Sequence, residues 1–562
     1  VDRCDRQEGF LKDIPGYRAL AEAFRAEGTD VVFGLMGDAN AHWTIAMKDL
    51  GATVIHARHE HSACGMADGY ARATGRVGVA SVTCGPGFTQ IMTSLAISAR
   101  GRIPLVVMVG DTASNVAFHL QQMDQAPLAL ATGARFIRVK HPDRILGDVR
   151  EAFYTAQQEN LPVVLSVPID FQKRPFPWML DYEPSKALLP KPQRLRPDPA
   201  IVSEVVDMIE AAERPVVLAG RGAVKSGAKD ASVALAEQIG ALVGTTLLAK
   251  GLFDDDQCGI GISGAYATNV GRSFYAESDL VLGVGASMSF FTSEAGYMYP
   301  NARVVQIDLA PHGLYQGLRT ADVHMQADAK AGVDAILAEV LRRGIVRSGW
   351  RNDANAKRIA AEGLDRKPFP VAPNTVDPRE ALLELDRVIP PDWDIVCGSG
   401  HSFHFVTSHI RGRPAERYHV VSDFGAIGQA LTTAIGVACA RNDGKVLLLQ
   451  GDGSLLMHIQ ELEVIKRQKI RLLIGALNDG AYGSEVHMLR GQKMDPAEAI
   501  FGKTDLASIS AGFGVRSSAV TQLGQFERLF NEHQSANEAE FWDIRIADIA
   551  SAQYRRLFYG EA

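Results

Sequence analysis

Short apolar runs, each five to nine residues long, recur along the whole 562-residue chain, with amphipathic stretches between them. A strand written as a continuous apolar run is buried on both faces, and intervening helices supply the cover. The repeat therefore dictates parallel sheets layered between helices. In the first third the runs are VVFGL (31–35), ATVIHA (52–57), VGVASVT (77–83), PLVVMVG (104–110) and LPVVLSVP (161–168), with helical stretches such as YRALAEAFRAEG (17–28) between them. FQKRPFPWMLDYEPSKALLPKPQRLRPDPA (171–200) is rich in proline, follows neither period and reads as a linker. A second set comprises RPVVLAG (214–220), ALVGTTL (241–247), DLVLGVGAS (279–287) and ARVVQIDL (302–309). The charged stretch 347–368 leads to a third set: DIVCGS (394–399), YHVVSD (418–423), KVLLLQGD (445–452) and IRLLIGALN (470–478). A chain this long exceeds one ordinary core. The pattern predicts an α/β protein of three doubly wound parallel-sheet domains, at 1–175, 200–345 and 372–550.

Charge narrows the partners. A net charge of -7 offers no basic excess for nucleic acid or an anionic membrane surface, so any phosphate binding has to be local. The six cysteines are scattered without a CxxC pair, which fits reduced thiols. No signal-peptide pattern and no run of about 18 apolar residues is present, so a cytoplasmic location without membrane insertion is expected.

Chemistry-bearing residues concentrate where strands end. KVLLLQGDGS runs from a buried strand through Gly451, Asp452 and Gly453 into a helix, and sheets of this kind hold ligands at such ends. Glycines let the backbone approach a phosphate, the helix start offers free N–H groups, and Asp452 suits a divalent cation. A plain strand-to-helix turn is the alternative. Asn478-Asp479-Gly480 follows after 24 intervening residues, the length of one helix plus one strand, which puts Asp452 and Asp479 on adjacent strands. Two carboxylates beside a phosphate-ready helix end make an oxygen-ligand magnesium site.

GDG-x24-ND resembles the diphosphate-and-metal motif of the thiamine-diphosphate enzymes. The resemblance implies Asp452, Asp479 and the carbonyl of Ala481 as Mg2+ ligands, with Asp479 replacing the commoner asparagine. It demands an activating glutamate in a separate N-terminal domain, and ATVIHARHEHSACGMADGYARATGRVGVASVTCGPG (52–87) matches the family's RHE–helix–GYAR–strand–GPG pattern, which implicates Glu60 and Gly85. SDFGAIGQALTTAIG (422–436) resembles the segment that supports the bent cofactor, with Gly425 and with Ile427 as its wedge. CGSGHSFHF (397–405) resembles the diphosphate loop and implies Gly398, Ser399, His401 and Ser402 beside Gly451, Gly453 and Ser454. As residues alone, His401 and His404 read equally as surface-loop histidines.

Domain order and length resemble the acetolactate synthase and pyruvate decarboxylase groups. That implies a C–C lyase or carboligase of decarboxylase type, acting on a 2-oxo acid or a related α-dicarbonyl or acyloin. Asp38 lies where 2-oxo acid decarboxylases carry G-x-P-G-D, Glu485 at the offset of a catalytic glutamate, and His119 near a histidine pair of which it is the single member. As residues alone, Asp38 reads equally as a helix cap and Glu485 as a solvated first-turn carboxylate. Met123 and Asp124 depart from the synthases' FQETP, and Met488 aligns with their acceptor-pocket tryptophan. An FAD-carrying, acetolactate-synthase-like carboligase and a non-catalytic partner subunit remain as alternatives. In the central domain, LAGRGAV (218–224), LGVGASM (282–288) and Asp308 leave FAD, ADP or no ligand open. The family's site forms between subunits, so a homodimer is the minimum expectation and a homotetramer the fuller one. The C-terminal segment 540–562 bears on pocket size without an assignable place.

Overall fold

The computed structural model describes residues 13–177, 182–191, 193–311 and 320–561. Three six-stranded sheets, every pairing parallel, organise it. The first runs, in spatial order, Thr53–His56, Val31–Gly34, Gly78–Val82, Leu105–Asp111, Pro162–Pro168 and Arg135–Arg138. The third runs Tyr418–Val421, Asp394–Gly398, Val446–Gly451, Leu473–Asn478, Glu540–Arg545 and Arg516–Val520. Numbered along the chain, both follow the order 2-1-3-4-6-5. The central sheet differs: Gly259–Ile262, Leu242–Thr245, Pro215–Ala219, Leu280–Val284, Arg303–Asp308 and Val323–Gln326 give 3-2-1-4-5-6, the order of dinucleotide-binding folds.

The first and third domains are joined through a pair of helices, Glu60–Thr74 and Gln429–Arg441. Close approach explains their small residues. A Cβ on Gly69 would stand 2.0 Å from the Thr433 carbonyl oxygen, and one on Gly436 1.9 Å from that of Met66. Phe33, Ala67, Leu431, Ala434 and Leu448 belong to one apolar cluster, so the two domains share a core. Half-buried Arg72 ties the joint, bonding Asp423 at 2.7 Å and the Val420 carbonyl at 3.0 Å.

The proline-rich stretch is only partly a linker. Helix Ile169–Lys173 runs into strand Pro175–Pro177, which pairs antiparallel with Asp13–Pro15 and closes the first domain. Proline is tolerated there because the two-stranded ribbon needs few N–H donors. Residues 178–181 and 192 of that stretch, and residues 1–12 of the first expected domain, lie outside the described residues. The charged stretch 347–368 carries a helix, Asp353–Glu362. Among the described residues no helix is long and apolar enough to cross a membrane.

Candidate active site

Register builds the site. Gly451 pairs with Leu477 at the ends of adjacent strands, so Asp452 and Asp479 emerge at one edge of the third sheet. They border a cavity of about 380 Å3. The Asn478-Asp479-Gly480 stretch is not a hairpin. The Gly480 carbonyl accepts N–H bonds from Phe501 and Gly502, and Tyr482 N–H donates to Ala499, so a neighbouring loop pins it. Asn478 points inward, donating to Asp543 at 2.8 Å and to the Thr504 carbonyl at 2.9 Å.

The two carboxylates lack compensation. Asp452 is 1% exposed; its Oδ2 accepts from Gly480 N–H at 2.9 Å while its buried Oδ1 has no partner. Burial pushes its carboxyl up to about 6. Burial, and then the charge of Asp452, hold Asp479 well above the usual carboxylate range. Adjacent carboxylates, one buried and one half-buried, with a spare lone pair are what a divalent cation neutralises. Among the described residues no group of three or more His, Cys, Asp or Glu side chains forms a metal cluster, so any further ligand is a backbone carbonyl, such as that of Ala481, or a ligand oxygen.

The same cavity also carries N–H donors and neutral polar side chains. Helix His401–His409 starts at Gly400 (φ 114°) without a side-chain cap, so its first N–H groups are available to an anion, whereas the short helix Asp452–Leu456 carries Asp452 in its own first turn. His401 is a buried helix residue rather than a surface one, and burial holds its pKa well below the ordinary value, leaving the ring neutral. Ser399, Ser402, Gly425, Ile427, Gly453, Ser454 and Ala481 complete the expected set around the cavity. The Ser454 hydroxyl accepts Gly428 N–H at 2.9 Å and so anchors the loop that carries Ile427. Gly398 does not line the cavity; a Cβ there would press within 2.7 Å of Ala430. Glu485 is exposed at the mouth, in the first turn of helix Gly483–Gly491.

The remaining expected residues gather elsewhere, at the equivalent edge of the first sheet. Glu60 opens its helix, its Oε1 3.5 Å from where a Gly87 Cβ would stand. Gly85 (φ 62°) lies against the Gln121 carbonyl, and His119 Nδ1 accepts from Gln121 N–H at 3.2 Å. Asp38 is exposed, and the helix Ala41–Asp49 that follows has Asn40, not Asp38, at its N-cap. No residue of the first domain lines the cavity of the third. The sequence did not point to Gly400, Ala426, Leu477, Tyr482, Gly483 and Ser484 in the lining, although the last three directly follow Ala481.

Comparison with known proteins agrees with this division. Residues 14–128 match the thiamine pyrophosphate enzyme N-terminal TPP binding domain, 202–336 the central domain and 398–542 the C-terminal TPP binding domain. The chain is similar to a probable acetolactate synthase large subunit of Methanocaldococcus jannaschii, 27% identical over 95% of this chain and 92% of the relative. It is also similar to the acetolactate synthase large subunit of Parasynechococcus marenigrum, at 28% over 90% and 84%. Acetolactate synthase isozyme 2 large subunit of Escherichia coli is 28% identical over 91% and 92%. The chain belongs to the thiamine pyrophosphate (thiamine diphosphate) enzyme family, with N-terminal, central and C-terminal domains all present.

Proposed function

We propose that the protein is a magnesium- and thiamine-diphosphate-dependent C–C lyase or carboligase of decarboxylase type, acting on a 2-oxo acid or a related α-dicarbonyl or acyloin. The observation that carries this reading is buried Asp452 beside half-buried Asp479, with Oδ1 of Asp452 unpartnered, in one cavity with the uncapped start of helix His401–His409. Such a cavity accepts an anion and a cation together, which is a metal–diphosphate pair. When bound, thiamine diphosphate supplies a carbanion nucleophile and then an electron sink. Asp452, Asp479 and the Ala481 carbonyl hold magnesium; His401, Ser399, Ser402 and the helix-start N–H groups take the diphosphate. Ile427 would lie against the bound cofactor, and Glu60 would be the carboxyl that holds or moves a proton beside its pyrimidine ring. Glu485, Asp38 and His119 surround the substrate as proton donors and acceptors.

Because Glu60 and the cavity lie on different domains and do not meet within one chain, the complete site pairs Glu60 of one protomer with the cavity of a second. A homodimer is then the minimum unit and a homotetramer the fuller assembly. Asp124, at the position where the synthases carry glutamine, bonds Arg138 at 2.9 Å instead, which favours a substrate other than a second pyruvate. An FAD-containing carboligase is the second reading, favoured by the 3-2-1-4-5-6 order of the central sheet. Against it, the loops at the switch point are in backbone contact: Gly222 N–H donates to the Gly285 carbonyl at 2.9 Å. A non-catalytic subunit would have no use for Glu60, Asp452 and Asp479 together. The test is product formation and CO2 release from pyruvate, benzoylformate, an acyloin and a cyclic 1,2-diketone, with magnesium and thiamine diphosphate supplied. No turnover of any of the four, or tight cofactor binding indifferent to magnesium, would overturn the reading, and a co-purifying flavin would favour the second.

A further inference from the structure

The end of the chain packs directly on the diphosphate side of the cavity. Ser551 caps helix Ala552–Tyr559, and its backbone N–H donates to His401 Nε2 at 3.0 Å. A ring nitrogen that accepts a hydrogen bond carries no proton, so in the neutral imidazole the proton resides on Nδ1. That nitrogen faces Gly483, 2.8 Å from where a Cβ would stand, on the cavity side. The Tyr554 ring lies parallel to the imidazole, centroids 4.9 Å apart and planes 9° apart, and its hydroxyl bonds Ser484, a lining residue, at 2.7 Å. The helix is not a loose tail. Arg555 bonds Asp365 and Glu561, both at 2.9 Å, and Arg556 reaches the Ala267 carbonyl of the central domain at 2.8 Å.

We propose that Ser551 and Tyr554 are positioning residues: the Ser551 N–H locks His401 as the Nδ1–H tautomer and Tyr554 holds the ring plane, so that the imidazole donates to the cofactor's diphosphate. The opposite tautomer would present a lone pair to an anion. The proposal rests on the thiamine-diphosphate reading of the cavity and adds to it a role for the C-terminal helix.

Ser551 has φ -60°, which proline also adopts. Ser551→Pro therefore removes the N–H, whereas Ser551→Ala keeps it and loses only the hydroxyl that accepts from Tyr554 N–H. Thiamine diphosphate affinity is measured by titration calorimetry on the full-length chain with magnesium. Ser551→Ala should bind within about twofold of wild type. Ser551→Pro and His401→Ala should each weaken binding roughly tenfold or more, the loss of one hydrogen bond to a charged group. The double variant should bind no more weakly than His401→Ala alone, since both changes remove one interaction. Should Ser551→Pro fail to fold, Tyr554→Ala against Tyr554→Phe asks the same question, in the presence and absence of His401. Equal affinities for Ser551→Pro and Ser551→Ala, or additive losses in the double variant, would overturn the proposal alone. In the Tyr554 series, equal affinity for the alanine and phenylalanine variants would do the same. A wild-type chain that takes up no thiamine diphosphate would overturn the functional reading and the proposal with it.

Discussion

Glu60 stands half-buried at the first turn of a helix that leaves the first sheet's edge, with His59 capping the helix by accepting from His61 N–H. Glu60→Gln keeps shape and acceptor oxygen but cannot take up a proton. Turnover should fall by roughly 10²–10⁴-fold with cofactor affinity and unfolding temperature little changed. Hydrogen–deuterium exchange at the reactive carbon of the bound cofactor should fall in parallel; exchange at the wild-type rate would remove Glu60 from that role. Next to it, Glu461 holds the preceding turn from the other domain, accepting Arg58 N–H at 3.1 and 3.2 Å. Burial pushes its carboxyl up to about 7. Its neighbours His61 and His458 are pushed down to about 3 and about 4 by burial, so they stay neutral above pH 5. A carboxyl whose folded pKa is raised binds more protons folded than unfolded between its ordinary value and about 7, so stability falls as pH rises through that window. Glu461→Gln lacks this titration. From pH 5 to pH 8 the variant should gain on wild type by on the order of 3 kcal/mol in denaturant-unfolding free energy. A difference that does not change with pH would show that Glu461 keeps an ordinary pKa.

At the scale of elements, the crossing of Glu60–Thr74 with Gln429–Arg441 sets how the two cofactor domains meet. Gly69→Ala and Gly436→Ala each drive a methyl into a backbone carbonyl that cannot turn aside, at 2.0 and 1.9 Å. Each should cost about 1–3 kcal/mol in thermal or denaturant unfolding, and the pair less than the sum, because one widened crossing relieves both. Unchanged stability would mean that the helices do not approach this closely. The glycine spacing of that helix was visible in the sequence; the partner surface that requires it was not. Strands were legible where they were apolar throughout, as in KVLLLQGD. Glu540–Arg545 escaped because it reads EFWDIR, although it is buried between two neighbours. Its polar groups are matched by local partners, Glu540 by Trp542 Nε1–H and Asp543 by Asn478, and single-chain periodicity does not record those. The short edge strands Arg135–Arg138 and Arg516–Val520 escaped for want of a continuous apolar run. The site shows the same limit. Asp452 and Asp479 were legible because one strand–helix–strand unit fixes their spacing. Ser551 reaches His401 across 150 residues and Glu461 reaches Arg58 across 403, distances over which no motif runs.

At the scale of the molecule, the chain presents two half-sites that do not close on each other. One edge carries Glu60, Gly85 and His119, with Phe118 and Leu120 80% and 89% exposed beside them. The other carries the cavity, with Tyr482 and Phe501 packed edge to face at its rim and both exposed. Exposed apolar side chains grouped around incomplete chemistry mark surfaces that another protein surface covers. On the proposed reading a second copy of this chain supplies what each edge lacks, and a two-fold dimer would then contain two sites, each built from both protomers. Subunit mixing tests this without reference to substrate identity beyond an assay. If Glu60 is the proton carrier and Asp452 a metal ligand, as proposed, Glu60→Gln and Asp452→Ala should each be inactive alone. In a mixed dimer one site collects both defects, while the other combines the intact Glu60 of the second variant with the intact Asp452 of the first. Co-refolding the two in equal amounts should restore about a quarter of the wild-type sites, since half the dimers are mixed and each has one working site. If both half-sites belonged to one chain, every site in the mixture would carry a defect and no activity would return.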